Sequence, residues 1–278
     1  MNNSGGSGRV LSTFLKILVW LCAVITFSVL IFLVVFILVK GVGHLKPSLF
    51  AWEYTSDNVS LIPAAANTVI MVVLTLVIAV PIGVFSAIFL VEYAGRETRL
   101  VRLIRMTAET LSGIPSIVYG LFGLMFFATA LKWGLSILSG SFTMVIMILP
   151  LIMRTTEEAL KAVPDTYREA SFGLGAGKLR TIFKIVLPAA VPGILAGVIL
   201  STGRIVGETA ALIFTAGTMA RIPSSLLGSG RTLALHMYVL SSEALHMNEA
   251  YATAVVLLLL VLFINGVSNV IAGKLTKV

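Results

Sequence analysis

The sequence predicts an all-α, polytopic membrane protein with six transmembrane helices and both termini in the cytoplasm. Three observations carry that prediction. First, the 278 residues are 58% hydrophobic and only 12% charged, with a mean hydropathy of +1.04. A soluble domain of this size cannot bury that much apolar surface. Second, the apolar residues fall into runs long enough to cross a hydrocarbon core ~30 Å thick, which takes ~20 residues of helix. Third, the basic residues are segregated. The N-terminal tail, the 92–109 loop, the 154–186 segment and the C-terminal tail hold 14 of the 20 Lys and Arg; the other side holds five (Lys40, Lys46, Lys132, Arg221 and Arg231), and Arg204 lies inside a span. The positive-inside rule places the richer side in the cytoplasm.

The same composition excludes several function classes. A net charge of +8 is accounted for by anchors at the span ends, so no nucleic-acid partner is expected. The single cysteine, Cys22, offers no disulfide framework, and His44, His236 and His246 share no ligand spacing. No metal and no cofactor are therefore expected. The sequence contains no nucleophile–base constellation of a membrane enzyme, so no catalytic residue is assigned.

In chain order, residues 1–9 read as a cytoplasmic tail and Phe14 to Val39 as the first span. That run is far longer than the 7–15 residues of a signal-peptide core and lacks a small-residue cleavage site, so it is read as retained. Residues 40–64 form an outside loop with Trp52 and Tyr54 placed for the interface. The second span covers about 65–91, with Pro81 and Gly83 as places for a kink. Arg96, Arg99, Arg102 and Arg105 follow at steps of three, a basic helix face read as an anchor against lipid in preference to an anionic-substrate site. The third span covers about 110–131; in its SGIPSIVYGLFGL, Gly113, Pro115, Gly120 and Gly123 allow an irregular start and close packing. The fourth span is 136–153, followed by a polar segment 154–185 and a fifth span 187–214. Residues 215–249 are too apolar for a free loop and are expected to fold back on the outside. The sixth span is 250–271, before Lys274 and Lys277. No internal repeat is evident, which disfavours inverted-repeat secondary carriers.

Within the polar segment, Thr166 and Glu169 fit an S/T-x-x-E capping box, predicting a short helix that Gly173, Gly175 and Gly177 terminate. Leu179, Ile182, Phe183 and Val186 then resume helical spacing, and Pro188 and Pro192 mark entry into the fifth span. GLGAGKL is not a nucleotide-binding loop, because Phe172 stands where its first glycine is needed and Leu179 where Ser or Thr is needed. On one continuous helix at about 100° per residue, Gly193, Gly197, Arg204, Glu208, Ala211 and Thr215 fall within an arc of roughly 60°. The spacings Gly193-x3-Gly197 and Gly203-x3-Gly207 suit close helix packing. Arg204 would lie about 22 Å along a span starting near residue 189, beyond the middle of the core.

An arginine there costs on the order of 2.5–3.5 kcal/mol. An intrahelical Arg204–Glu208 pair is one explanation, but in water it contributes only about 0.2–0.5 kcal/mol. A pathway site with partners from a second subunit explains the expense better. The guanidinium fork suits an oxyanion. Glu208 would repel a fully ionised anion such as sulfate while accepting a hydrogen bond from protonated phosphate.

Glu169-Ala170-Ser171, Gly175, and Ile185 with Leu187-Pro188 match the EAA-x3-G-x9-I-x-LP signature of ABC importer permeases, with Ser171 in place of the last alanine. Gly203-Arg204-Ile205-Val206-Gly207-Glu208-Thr209-Ala210, together with residues 112–123, resembles the phosphate-specific importer permeases of the PstA type. The resemblance covers about residues 65–270. It implies a type I ABC importer (MetI-like) permease fold in the cell inner membrane, with a permease domain at 65–271. That domain would hold five transmembrane helices and a coupling loop at 157–187, between an N-terminal part (1–64) and a cytoplasmic tail (272–278). It further implies a sister permease (PstC type), two ATPase subunits (PstB type) that alone use ATP, and an external phosphate-binding protein (PstS type). Glu169, Ala170, Ser171, Gly175, Ile185, Leu187 and Pro188 would dock the ATPase. Arg204 and Glu208, with Thr209 beside them, would line the substrate path. The residues alone also leave open a permease for molybdate or sulfate, or an ion-coupled carrier that uses Glu208 as a proton site.

Overall fold

The computed structural model describes residues 4–94, 98–242 and 246–275, so Arg96 and Lys277 lie outside the described residues. Helix α1 (Ser4–Gly41) already begins within the stretch read as a tail. Most of its length is apolar and exposed. It leans on the rest of the molecule near its end, where Gly41 meets the Tyr251 backbone and Val255, and Phe36 packs edge-on against Tyr251. Residues 42–61 form a packed cap that buries Leu49, Val59 and Leu61. Trp52 is exposed as expected, whereas Tyr54 turns inward against His236 and Arg231.

Helix α2 (Ile62–Ile88) runs on through a π-turn at Phe89–Tyr93. Neither Pro81 nor Gly83 interrupts it. Gly83 instead admits Ile152, whose Cγ2 would lie 2.7 Å from an added Cβ.

Helix α3 (Arg99–Ser112) and helix α4 (Ser116–Gly123, continued in π-form to Ala130) meet at 101° across Gly113-Ile114-Pro115. The irregular start is therefore a full break, and Thr110–Ser112 belong to α3 rather than to the span. Pro115 cannot donate a backbone hydrogen bond and disfavours helix at Ile114, which accounts for the break. Of the basic face, Arg99 and Arg102 are exposed, while Arg105 pairs with Glu157 at 2.7 Å and is not a lipid anchor.

Helix α5 (Ile137–Ala162) continues nine residues past Met153. Ile152, Thr156 and Leu160 are buried on one stripe, so its apolar periodicity outlasts its hydrophobicity. Helix α6 (Asp165–Gly173) follows Pro164, which occupies the N-cap with no side-chain cap bond. Thr166 therefore sits inside the first turn, and the capping box is not formed. Gly175, at φ +79°, makes the turn that ends this segment. Helix α7 (Lys178–Thr181), a π-turn at Ile182–Val186 and helix α8 (Leu187–Gly207) form one run. The π-turn directly precedes Pro188, whose ring and missing N–H disturb regular helical bonding there.

The fifth span does not reach Phe214. It stops at Gly207, Glu208 is extended (φ −73°, ψ 131°), and helix α9 (Ala210–Thr215) begins anew. Helix α10 (Leu233–Ser242) and helix α11 (Met247–Leu275) complete the chain.

Two ends are evident from the contacts. At one end, Ser136 N–H donates to Thr215 O (2.9 Å), Ile137 N–H to Gly228 O (3.0 Å) and Asn67 Nδ2 to Arg221 O (2.9 Å). At the other, Arg105 pairs with Glu157, and Arg168 with Glu92. Among the described residues, five helices are long and apolar enough to cross a membrane, and six crossings result if the bent α3–α4 pair is one span. Core layers stack along that axis: Leu49, Val59, Leu61 and Leu233 outside; Met71, Met144, Ile148 and Leu212 in the middle; Leu90, Leu160, Ile182 and Val186 at the cytoplasmic end.

Candidate functional site

Two groups of residues stand out, one within the membrane layer and one below it. The first surrounds the break after α8. Gly193 and Gly197 seat on Ala159 and Thr155 of α5, where an added Cβ would lie 2.6 and 2.0 Å from their side chains. These two glycines do pack helix on helix within the chain, Gly197 buried and Gly193 at the exposed edge of the contact. Gly203 and Gly207 have nothing within 4 Å and make no such contact here.

Ala159 and Thr155 belong to the charged extension of α5, so the first half of α8 packs beside that extension. Measured from Gly197, Arg204 is only about 10 Å farther in, at ~1.5 Å per residue.

Arg204 and Glu208 are both half-buried, and they do not pair. The ion pairs among the described residues join other groups. Each charge is matched to a helix end instead. Arg204 is in the last turn of α8, where the macrodipole favours a cation. A Glu208 oxygen accepts the Ala211 N–H at 3.0 Å, capping α9. Thr209 is the N-cap residue, with no side-chain cap bond of its own. The single arc drawn through Arg204, Glu208, Ala211 and Thr215 therefore does not exist.

The α4 arm presses on this break. Gly120 lies against the Ala210–Ala211 backbone, and an added Cβ would meet Ala211 Cα at 2.8 Å. One residue earlier, the buried Tyr119 donates its hydroxyl to Leu111 O at 2.7 Å across the α3–α4 break. Two interrupted helical runs thus meet where Gly120 packs on Ala210–Ala211, just past the break that follows Arg204 and Glu208. Sequence reasoning missed Tyr119, although SGIPSIVYG places it one turn past the proline.

The second group is the 165–188 segment. Ala170, Ser171, Gly175 and Ile185 line one hollow of about 480 Å³ with Tyr167 and Leu174. Glu169 and Pro188 are exposed, and Leu187 packs half-buried on the cytoplasmic core layer. Ser171 departs from the signature for a local reason: its hydroxyl bonds that of Thr181 at 2.8 Å, tying α6 to α7. The tip is unusually apolar for a surface, with Leu174 89% and Leu179 64% exposed. Sequence reasoning also missed Arg168. Its guanidinium reaches Glu92 (2.8 and 3.2 Å), Asp165 (3.2 Å) and the carbonyls of Val163 (2.9 Å) and Leu160 (3.0 Å).

With this geometry in view, the chain belongs to the family described as the binding-protein-dependent transport system inner membrane component, whose model matches residues 79–277. It is a multi-pass membrane protein, the permease subunit of an ABC importer. Among relatives, it is 33% identical to the probable ABC transporter permease protein YqgI of Bacillus subtilis, over 81% of each chain. It is 35% identical to the phosphate transport system permease protein PstA 1 of Mycobacterium tuberculosis, over 73% of this chain and 67% of that protein. A chain of a bacterial ABC transporter involved in the import of the acidic polysaccharide alginate superposes with a TM-score of 0.63 at 16% identity, covering 94% of this chain and 98% of that one. The fold is that of the importer permeases.

Proposed function

We propose that this chain carries inorganic phosphate across the cytoplasmic membrane as the PstA-type half of an ABC importer. The observation that carries this reading is Arg204, a half-buried cation with no carboxylate partner within 4 Å among the described residues, set at the end of α8 where the chain breaks before α9. Discontinuous helices in transporters present unpaired backbone groups and charges to a substrate at membrane depth, and a guanidinium offers an oxyanion two parallel hydrogen bonds. The names of PstA relatives support phosphate among the oxyanions.

The partners in this reading are a sister permease, two ATPase subunits and an external phosphate-binding protein. ATP-driven closure of the ATPases moves α6 and the turn after it, where Glu169, Ala170, Ser171 and Gly175 dock, and turns the path outward. Phosphate delivered by the binding protein then passes Arg204, Glu208 and Thr209. ATP hydrolysis restores the inward-facing state.

The test is reconstitution with all partners, comparing ATP-dependent phosphate and sulfate uptake. Arg204→Gln should lower phosphate uptake at least tenfold, the equivalent of about 1.4 kcal/mol or more. Undiminished uptake would remove Arg204 from the path. Uptake that persists without the ATPase subunits would instead favour an ion-coupled carrier.

A further inference from the structure

The Arg168–Glu92 contact has a geometry that a simple loop anchor does not require. Both side chains are largely buried (14% and 9% exposed), and both Nε and Nη2 of Arg168 reach the same Glu92 oxygen. Glu92 is in the π-turn that ends the second span, far from α6 in sequence. The neighbouring Tyr93 ring is covered by the Lys178 ammonium, 4.7 Å from its centroid. The end of the second span is thus held from both sides of the 165–181 segment, by Arg168 before the glycine turn and Lys178 after it.

The same helix holds the outer segment at its other end. Asn67 Nδ2 donates to Arg221 O (2.9 Å) and Arg231 O (3.2 Å), and Thr68 Oγ1 accepts the Leu233 N–H (2.8 Å). Between them the helix is continuous, about 37 Å from residue 67 to residue 92 at ~1.5 Å per residue.

We propose that the second span is the strut that carries motion of α6 to the outer segment 221–233, and that Arg168 is the positioning residue that couples α6 to it. This rests on the reading of α6 as the ATPase-docking helix. Without the contact, α6 would act on the membrane helices through its covalent links to α5 and α7, its Ser171–Thr181 bond and the Lys178–Tyr93 contact, none of which ties α6 itself to the second span. A buried, multiply bonded pair resists separation, so a displacement of α6 is transmitted to Glu92. A helix is stiff along its axis because every turn is hydrogen-bonded to the next.

The experiment uses the complete transporter in proteoliposomes, with Cys22→Ser and Ser224→Cys giving one outer reporter thiol. Wild type, Glu92→Gln, Arg168→Gln and the exchange Arg168→Glu/Glu92→Arg are compared. The readouts are maleimide labelling of Cys at 224 with and without ATP plus vanadate, and phosphate imported per ATP hydrolysed. Wild type should change its labelling rate with nucleotide at least threefold. Glu92→Gln, which keeps an uncharged acceptor, should lose that change and import at least fivefold less phosphate per ATP, with the ATPase still bound. The exchange should recover part of both. Nucleotide-dependent labelling and import per ATP at wild-type level in Glu92→Gln would overturn the proposal, whether or not Arg168→Gln assembles. Failure of the docking reading is distinguishable: the ATPase subunits would then co-purify equally with wild type and with Leu174→Asp.

Discussion

Glu208 shows how one side chain can serve structure and transport together. Its carboxylate caps α9 through the Ala211 N–H. Loss of a helix cap costs about 1 kcal/mol, within a range of roughly 0.5–2. Glu208→Ala should therefore lower thermal stability by that amount, measured on the purified chain in detergent. Glu208→Gln keeps an acceptor oxygen and should retain stability to within about 0.5 kcal/mol. In the proposed mechanism the same Gln variant loses the negative charge that rejects sulfate, so competition between the two anions should shift toward sulfate. A variant that still excludes sulfate would sink that selectivity idea. The two charges themselves were legible in the sequence, because an arginine and a glutamate inside an apolar run demand an account. The break between them was not. The i, i+4 spacing suggested one helix face, and the run was longer than a span needs. Gly207-Glu208-Thr209 before Ala-Ala-Leu-Ile carried the signal of a stop and a restart, which hydropathy alone masks.

The small residues of α8 divide into two kinds at the scale of elements. Gly197 is locked, since an added Cβ would stand 2.0 Å from Thr155 Oγ1. Gly197→Ala should destabilise the chain by about 1–3 kcal/mol, the usual penalty of overpacking. Gly203 has open space around it, so Gly203→Ala should be neutral or stabilising by up to about 1 kcal/mol, as expected when glycine in a helix is replaced. Thermal unfolding of the two variants side by side checks this. If the sister permease seats on Gly203 and Gly207, Gly203→Leu should abolish its co-purification while leaving the isolated chain's melting temperature in place.

Spacing of small residues is visible in a sequence, but which neighbour fills the notch is a tertiary fact. The five long apolar spans were legible for the same kind of reason that their ends were not. Length and apolarity mark a crossing, whereas Thr155 to Ala162 continue α5 on a stripe of Ile152, Thr156 and Leu160 that average hydropathy hides. At Gly113–Pro115 an irregular start was anticipated, because glycine and proline act on the backbone directly, but not the full 101° break.

The molecule as a whole is least predictable on its outside, where residues 216–242 and 42–61 interlock. Gly217, at φ +80°, lets the chain reverse against Ser229, and Arg231 stacks its guanidinium 4.8 Å over the Tyr54 ring. His236 is fully buried edge-on to the same ring. Composition flagged this stretch as too apolar for a loop, yet nothing local showed that a tyrosine 182 residues away in sequence would cover its histidine. Helix α10 is ten residues long, too short to span, so His236 belongs to the outer layer. Burial first, and the Arg231 cation second, push its imidazole down to about 3 against a smaller opposing pull from the Val59 backbone.

The consequence for stability follows in sign. An unfolded histidine titrates near 6.5. Between about pH 6.5 and 3 the unfolded chain therefore binds a proton that the folded chain refuses. The contribution is complete above pH 6.5 and is lost as pH falls, by about 1.4 kcal/mol for each pH unit in that window. Between pH 6.5 and 5 the ordinary carboxylate range is not yet reached, which isolates the histidine. Thermal unfolding of the purified chain from pH 7.5 to 5 should show a steeper fall in melting temperature for wild type than for His236→Phe. Parallel slopes would mean that His236 is reached by water and takes its proton in the folded state.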